Sequence, residues 1–266
     1  MNWNCILERV AQTESTNDDL MARWRSRELI DPVSRLAKHQ TKGKGRAGRQ
    51  WFAEPNSSLS FSLAYPFNQP QQFLHGLSLV CGLAVIQGIS KSLGLDEMSL
   101  RQHGLSLKWP NDLLINERKL GGILIEGGKL SSSNANERVW MIIGIGMNLT
   151  HSKAIENATQ LPISALSELN QKHMPMEADL VWLAILNALG DYLELFATKG
   201  FVPFRSQWDF WDAYRNQPVS ISESGLIKQT GIAHGINEEG AFLLQEFGKA
   251  ELTTIYAGDV SLRRHA

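Results

Sequence analysis

Residues 40–51 read Gln-Thr-Lys-Gly-Lys-Gly-Arg-Ala-Gly-Arg-Gln-Trp, a stretch in which three glycines are interspersed with four basic residues. Glycine tolerates positive φ angles, so such a loop can turn several backbone N–H groups toward one anion. Lysine and arginine side chains beside those groups add charged donors for a phosphate or a carboxylate. The stretch therefore predicts a loop that closes over an anionic ligand, and we expect like-charge repulsion to keep it open until that ligand binds.

A solvated basic loop or a nucleic-acid patch has a similar composition, and a short basic run does not separate these readings by itself. The whole chain of 266 residues carries a formal net charge of -1. Such a balance favours a small anionic ligand over a long DNA track, because a DNA track needs a basic surface of wide extent.

Strand and helix patterns flank the loop. Residues 3–10 and 33–39 have the composition of strands, and residues 59–65 alternate apolar with small or polar side chains, which predicts a half-buried strand. Apolar residues then recur at helical spacing from Leu74 to Ile89, which predicts a core helix. A mobile loop beside a rigid sheet is a common arrangement for a ligand site.

Ser15-Thr16-Asn17 precedes two aspartates and a helical apolar pattern, which predicts the start of a helix. The simplest role for these hydroxyl and amide groups is to cap the helix. The alternative is that they face a ligand together with the N-terminus of the helix.

The second informative stretch is residues 107–126, where apolar runs at 113–115 and 123–125 surround Asn-Glu-Arg-Lys at 116–119. This pattern predicts a β-hairpin whose turn lies near Lys119. Lys108, Asn111 and Asp112 stand at its start, and an ordinary surface ion pair there would contribute little. Gly121-Gly122 would let a ligand or another backbone approach closely, since glycine has no Cβ.

Later segments complete the organisation. Residues 162–169 and 177–198 have helical patterns, and Asn148 follows a glycine-containing strand end at residues 144–147. From Pro218 the chain changes to short strands separated by turns, which predicts a small β-barrel of about fifty residues with its boundary near residue 216.

Cysteine and hydropathy patterns limit the class of protein. Cys5 and Cys81 lie far apart and indicate neither a disulfide framework nor a zinc site. We find no signal peptide, and no apolar run approaches the roughly 18 residues of a membrane span. These patterns predict a cytoplasmic protein without a membrane partner.

Five motifs, in order and spacing, resemble those of the biotin protein ligases, also called biotin–[acetyl-CoA-carboxylase] ligases. They are Ser15-Thr16-Asn17, residues 40–51, Lys108-Trp-Pro-Asn-Asp112, Lys119-Leu-Gly-Gly-Ile-Leu and Gly144-Ile-Gly-Met-Asn148. Each motif is weakly specific, but the combination is highly specific and covers nearly the whole chain. The resemblance implies an α/β (α+β) catalytic domain with a mixed sheet and flanking helices at 1–215, followed by an SH3-like barrel at 216–266.

The resemblance also implies a reaction and its participants. The family joins biotin to ATP as biotinyl-5′-AMP and then transfers biotin to one lysine of the biotin carboxyl carrier protein of acetyl-CoA carboxylase. Mg²⁺ would accompany ATP, with Asp112 as a ligand or water holder. Too few residues precede Ser15 for the helix-turn-helix domain of some members, so we expect no DNA binding. An edge strand near Ile142 would allow two chains to form a homodimer.

Site residues follow from the same resemblance. Lys119, Arg46 and Asp112 would be catalytic. Biotin would contact Ser15, Thr16, Asn17, Gln40, Lys44, Gly45, Arg46, Lys119 and Gly122. ATP would contact Arg46, Arg49, Trp51, Lys108, Asn111, Asp112, Lys119 and Asn148.

The loop departs from the family pattern at two positions, and the sequence leaves two alternative functions to consider. The loop has Lys44 and Ala47 where the family is usually arginine-rich, and lysine cannot form the bidentate fork that would retain an adenylate. A lipoate or octanoate ligase shares the catalytic fold, although its Arg-Arg, triple-glycine and His-Asp signatures are missing here. A non-catalytic nucleic-acid-binding module would need a wider basic or aromatic array.

Overall fold

The computed structural model describes residues 3–129, 138–170, 176–223, 225–258 and 260–265. Its helices are α1 (Thr16–Arg25), α2 (Leu77–Leu93), α3 (Glu97–Gln102), α4 (Lys153–Thr159), α5 (Ala178–Lys199) and α6 (Arg205–Trp211). Its strands are β1 (Ile6–Thr13), β2 (Val33–Gln40), β3 (Gly43–Lys44), β4 (Gln50–Trp51), β5 (Ser58–Phe67), β6 (Leu105–Lys108), β7 (Asp112–Ile115), β8 (Arg118–Gly128), β9 (Val139–Asn148), β10 (Pro218–Glu223), β11 (Leu226–Ile236), β12 (Phe242–Glu246), β13 (Leu252–Ile255) and β14 (Val260–Arg264).

Seven strands form one mixed sheet in the order β1-β2-β5-β9-β8-β7-β6. Strands β1 and β2 are parallel, and the other neighbouring pairs are antiparallel. The predicted α/β arrangement with a mixed sheet and flanking helices is therefore confirmed.

The two faces of this sheet have different environments. Leu59, Phe61 and Leu63 of β5 belong to the main core together with α2 and α5. Ala64, which points to the other face, packs in a second cluster with Leu20 of α1. Because side chains alternate along a strand, the small residues of β5 face the side of the sheet that α1 only partly covers. That side remains open for a ligand.

Helix α5 is long and apolar enough to cross a membrane by length and composition, although the sequence showed no long uninterrupted apolar run. Half of its most apolar window is buried inside the protein. Trp182 is completely buried and donates a hydrogen bond to Ser34 of β2 at 2.9 Å. The helix therefore has the contacts of a core element.

The last five strands form an antiparallel sheet in the order β13-β12-β11-β10-β14. This sheet meets the seven-stranded sheet through Trp109, which is fully buried and donates from Nε1 to the carbonyl of Gly240 at 3.1 Å. The predicted short strands after Pro218 are confirmed.

Three local predictions differ from the structure. Residues 162–169 form only a short 3₁₀ turn at Leu166–Leu169, since Pro162 and the bridge between Ile163 and Lys119 hold the preceding chain extended. The prediction of an edge strand near Ile142 is wrong, because β9 is hydrogen-bonded to β5 on one side and β8 on the other. The hairpin turn is Asn116-Glu117, so Lys119 lies on β8.

Candidate active site

A cleft of about 1060 Å³, including its open mouth, lies between the open face of the sheet and residues 44–52. It is lined by all of the predicted site residues except one: Ser15, Thr16, Asn17, Gln40, Lys44, Gly45, Arg46, Arg49, Trp51, Asn111, Asp112, Lys119, Gly122 and Asn148. Lys108 does not line the cleft and instead pairs with Asp112 at 3.1 Å. The structure therefore brings together residues that are up to 133 positions apart, from Ser15 to Asn148.

One end of the cleft is a closed network of neutral polar groups. Gln40 Oε1 accepts from the backbone N–H of Thr16 at 2.9 Å and from its hydroxyl at 3.1 Å. The Thr16 hydroxyl also lies 2.7 Å from the hydroxyl of Ser62, which donates to Asn17 Oδ1 at 2.6 Å. All four side chains are buried. Such a network fixes the direction of each remaining donor and acceptor.

The residues at the start of α1 cap the helix and line the cleft. Ser15 caps the helix, since its hydroxyl accepts from the N–H of Asp18 at 3.3 Å. Asn17 reaches across the cleft and donates from Nδ2 to Glu126 of β8 at 2.8 Å. The capping role considered from the sequence therefore holds for Ser15, while Thr16 and Asn17 turn toward the cleft.

Asp112 of the cleft lies between two lysines, of which only Lys119 lines the cleft. Lys119 lies 2.7 Å from Asp112 Oδ1, and Lys108 lies 3.1 Å from Oδ2. Burial alone would raise the pKa of Asp112, but attraction and hydrogen bonding from Lys119 and Lys108 outweigh it and lower the pKa to about 2. Asp112 is therefore ionised at neutral pH.

The basic loop forms a two-stranded ribbon, β3 with β4. Lys42 pairs with Glu14 at 2.6 Å and Lys44 pairs with Asp18 at 2.7 Å, and these side chains are about half or more exposed. These two carboxylates offset part of the repulsion among the basic side chains, and the opening of the loop before its anion binds stays a prediction from the sequence.

Arg46 connects the ribbon to two other parts of the molecule. It donates to Asn111 Oδ1 at 2.9 Å and to the backbone carbonyl of Gly258, which lies between β13 and β14. Arg46 thus joins the ribbon to the residue before β7 and to the segment between β13 and β14.

Two glycines of β9 allow side chains that line the cleft to lie close to the sheet. A Cβ on Gly146 would lie 2.5 Å from Cε2 of the Trp51 ring, and a Cβ on Gly144 would collide with the amide of Asn17. Any larger residue would displace the indole or the amide. The close approach predicted for Gly121-Gly122 is present at Gly121, where the carbonyl oxygen of Gly146 lies 2.6 Å from the ideal Cβ position, while at Gly122 the nearest atoms lie at 3.4 Å, an ordinary contact.

Asn148 has a fixed orientation beside the centre of the cleft. Its Nδ2 donates to the carbonyls of Ser164 at 3.0 Å and Lys119 at 3.3 Å. Its Oδ1 is buried and has no hydrogen-bond partner in the described part of the chain. Because Nδ2 is held by two carbonyls, Oδ1 is available as an acceptor for a ligand.

Sequence reasoning missed Ser60, Ser62 and Glu126. The two serines had a detectable signal, since serines alternate through residues 58–62 opposite the glycines of β9. Glu126 had none, because its contact with Asn17 spans 109 residues of the chain.

The donor set does not fit a metal ion held by protein ligands alone. The described residues contain no group of three His, Cys, Asp or Glu side chains arranged for a metal. Asp112 is the carboxylate at the centre of the cleft, and both of its oxygens already contact lysines.

Comparisons with known proteins agree with this geometry. A model of the biotin/lipoate A/B protein ligase family matches residues 10–148, and one of the biotin protein ligase C-terminal domain matches residues 216–263. The bifunctional ligase/repressor BirA of Escherichia coli is 30% identical over 250 residues, which cover 94% of this chain and 72% of that protein. The biotin–[acetyl-CoA-carboxylase] ligase of Paracoccus denitrificans is 30% identical over 256 residues, covering 94% and 98%.

A solved structure gives the same result. The biotin protein ligase of Aquifex aeolicus in complex with biotin and ATP has a TM-score of 0.73 and 26% identity to this chain, covering 98% of this chain and 99% of that one. The family model matches more than half of the chain, and relatives at 30% identity extend over nearly all of it. The chain belongs to the biotin/lipoate A/B protein ligase family.

Proposed function

We propose that this protein is a biotin–[biotin carboxyl carrier protein] ligase. A biotin carboxylate oxygen attacks the α-phosphorus of ATP, the bond to the β-phosphate breaks, and biotinyl-5′-AMP and pyrophosphate form. The amine of an acceptor lysine then displaces AMP to give an amide. One observation carries this proposal: one cleft is lined by a neutral polar network, by Lys119 and by further basic side chains.

The neutral network is suited to the ureido ring of biotin, which offers two N–H donors and one carbonyl acceptor. The Oε1 of Gln40 is engaged by Thr16, so its amide N–H groups are available to a carbonyl. Ser15, Thr16 and Asn17 would complete this contact, and Glu126 would hold the amide of Asn17. A neutral ring needs directional partners, and no charge is required there.

Lys119 would be the cation that offsets the negative charges of the two reactants. Two anions must meet, and a fixed cation between them offsets their repulsion and stabilises charge that develops on the α-phosphate. Arg46 would supply a second cation from the loop, with Lys44, Gly45 and Gly122 along the path of the acid.

Asp112 would orient lysines and would not remove a proton. A carboxylate with a pKa of about 2 is a weak base at neutral pH, since general bases work best near the operating pH. Asp112 would therefore hold Lys119 in place and later attract the acceptor amine. Lys108 would act through Asp112, because it does not line the cleft.

The nucleotide would occupy the remaining basic part of the cleft. Arg49 and Asn111 would face its phosphates or ribose, and Trp51 offers a flat apolar surface over Gly146. The free Oδ1 of Asn148 is an acceptor that suits the exocyclic amino group of adenine.

We propose that Mg²⁺ enters as the ATP complex, without a binding site made of protein ligands. This choice follows from the two lysines that already occupy the oxygens of Asp112, and it argues against Asp112 as a direct ligand. The metal would neutralise phosphate charge when bound.

The remaining assignments are proposals of the same kind. The five-stranded sheet would be an SH3-like barrel at 216–266 that follows a catalytic domain at 1–215. The acceptor would be the biotin carboxyl carrier protein, and the site of action the cytoplasm. A homodimer and the lack of DNA binding stay predictions from the sequence, and a dimer would have to use a surface other than β9.

The test is exchange of labelled pyrophosphate into ATP with biotin, lipoate and octanoate compared in parallel. We expect exchange with biotin alone, and then transfer of biotin to a purified carrier domain. Exchange with lipoate or octanoate would assign the chain to the other branch of its family. A folded wild-type protein without exchange for any acid, at saturating Mg²⁺ and ATP, would reject the proposal.

A further inference from the structure

Ser60 is a buried hydroxyl in the cleft that the chemistry above does not use. The serines of β5 at positions 58, 60 and 62 share the face that opens to the cleft, because side chains alternate along a strand. Ser58 accepts from the N–H of Glu54 at 3.1 Å, and Ser62 donates to Asn17. Ser60 is 3% exposed, and its hydroxyl has no hydrogen-bond partner among the described residues.

A second unpartnered group lies beside it. The cross-strand partner of Ser60 is Gly146, and directly opposite residues of antiparallel strands have Cβ positions about 4.5–5.5 Å apart. The indole Nε1 of Trp51 lies 2.7 Å from the ideal Cβ position of Gly146. This N–H is also buried without a partner in the part of the chain that the structure describes. A hydroxyl and an indole N–H thus flank one point on the floor of the cleft.

The strand register places this point between the two ends of the site. Along the sheet, Ser60 faces Gly146, Gly146 faces Gly122, and Gly122 faces Asp112. Two glycines therefore separate Ser60 from the carboxylate that holds Lys119. In the other direction Ser62, a member of the neutral network, is two residues away on the same face. An acid with its ring in that network and its carboxylate at Lys119 would cross β9 near Gly146, the cross-strand partner of Ser60.

Buried polar groups in native proteins are normally hydrogen-bonded, so two unpaired ones at the same point indicate a missing partner. Biotin itself offers only a thioether sulfur and methylene groups at the junction of its ring and chain. A thioether is a weak acceptor, and a methylene is none. The groups at this point are therefore matched to an oxygen acceptor that biotin lacks.

We propose that Ser60 and the Trp51 indole N–H form a polar subsite for acids that carry a hydrogen-bond acceptor near the junction of ring and chain. The smallest such acid is biotin oxidised to its sulfoxide. This inference rests on the proposed function. The reaction is unchanged: the carboxylate attacks the α-phosphorus and pyrophosphate leaves, while the sulfoxide oxygen accepts hydrogen bonds and takes no part in bond making.

The test compares pyrophosphate exchange with biotin and with each biotin sulfoxide epimer, as the ratio of kcat/KM values, in the wild type and in Ser60→Ala. We expect wild-type exchange with at least one epimer, and a ratio of sulfoxide to biotin that falls about tenfold in Ser60→Ala, the effect of one lost hydrogen bond. Trp51→Phe, which removes the N–H and keeps an aromatic ring, should lower the same ratio. Ser106→Ala is the matched control, since it removes a buried serine hydroxyl on β6 and should leave the ratio within about twofold of wild type.

Each outcome decides the proposal. Wild-type exchange with biotin but with neither epimer would overturn it, as would equal ratios in the wild type and Ser60→Ala. Thermal stabilisation by each acid without ATP provides a second measurement, and Ser60→Ala should lose more of the sulfoxide effect than of the biotin effect. No exchange with biotin in the wild type would reject the proposed function, and this subsite with it, which is a different result from failure with the sulfoxides alone.

Discussion

The cations on the sheet and those on the loop above it have different partners. Lys119 and Lys108 both contact Asp112, whose side chain is only 13% exposed and is held by the pairing of β6, β7 and β8. Lys42 and Lys44 contact carboxylates in surface pairs whose side chains are 43–69% exposed. Exposed pairs contribute little to stability, whereas breaking a buried one is costly.

This difference separates two tasks. A cation that must stabilise charge in a transition state has to be in position before the reaction, because reorganisation would cost free energy at that moment. A loop that covers a reactive adenylate must release substrate and product, so its protein contacts have to be weak enough to exchange. In the proposed reaction the sheet would therefore provide fixed charge and the loop would provide closure.

The strongest test of the comparison is Lys119→Ala against Lys42→Ala. We expect Lys119→Ala to lower kcat for pyrophosphate exchange by about 10²–10³-fold, since a fixed cation at the reacting phosphate is removed. It should also cost roughly 1–3 kcal/mol of stability, because Asp112 loses one of its two lysines. Lys42→Ala removes an equal charge from the loop and should change either quantity only slightly. Similar kcat values for the two variants would show that position on the sheet does not matter.

Arg46→Gly tests closure. Loss of the charged hydrogen bonds from Arg46 should shorten the lifetime of the bound adenylate by about 10- to 100-fold. The measurement is the rate at which biotinyl-5′-AMP leaves the enzyme, together with labelling of lysines on a bystander protein. Lys42→Gly is the control, because it adds a glycine to the same loop without removing Arg46. An unchanged adenylate lifetime in Arg46→Gly would leave the loop without a role in retention.

The charge on the sheet should also appear in the acid stability of the protein. The folded-state pKa of Asp112 is about 2, below the unfolded value of about 3.9, so its contribution is present above pH 4 and is lost as pH falls toward 2. The contribution is about 3 kcal/mol at full ionisation. Asp112→Asn should remove this part of the pH dependence of the unfolding free energy between pH 4 and 2. Parallel curves for the wild type and Asp112→Asn would contradict the lowered pKa.

Site contacts between residues that are near in the sequence could be predicted, and contacts between residues far apart in the sequence could not. Glycines and basic residues within 40–51 predicted an anion loop, and the hairpin placed Lys119 near Asp112, because these relations are local. The contacts of Asn17 with Glu126 and of Arg46 with Gly258 span 109 and 212 residues and left no local pattern.

The wrong predictions have the same origin. Whether β9 is an edge or an interior strand depends on the pairing order of the entire sheet, and the apolar run around Ile142 is compatible with both. The place of Lys108 also depends on strand pairing, since it contacts Asp112 across β6 and β7 and is not among the residues that line the cleft; its role toward ATP stays a prediction. The local motifs could thus be predicted from the sequence, and the order of the strands in the sheet could not.

The smallest expected effect concerns Lys44, where the loop departs from the arginine usual in its family. Lysine makes a single-point contact with Asp18, whereas the planar guanidinium of arginine could hold the carboxylate and a ligand anion with separate N–H groups. Lys44→Arg should therefore lengthen the adenylate lifetime by about threefold without a change in kcat for exchange. The comparison variant is Lys44→Arg combined with Asp18→Asn, which removes the competing carboxylate and should increase the gain. A shorter lifetime in Lys44→Arg would mean that the pair with Asp18, and not the ligand, sets the position of this side chain.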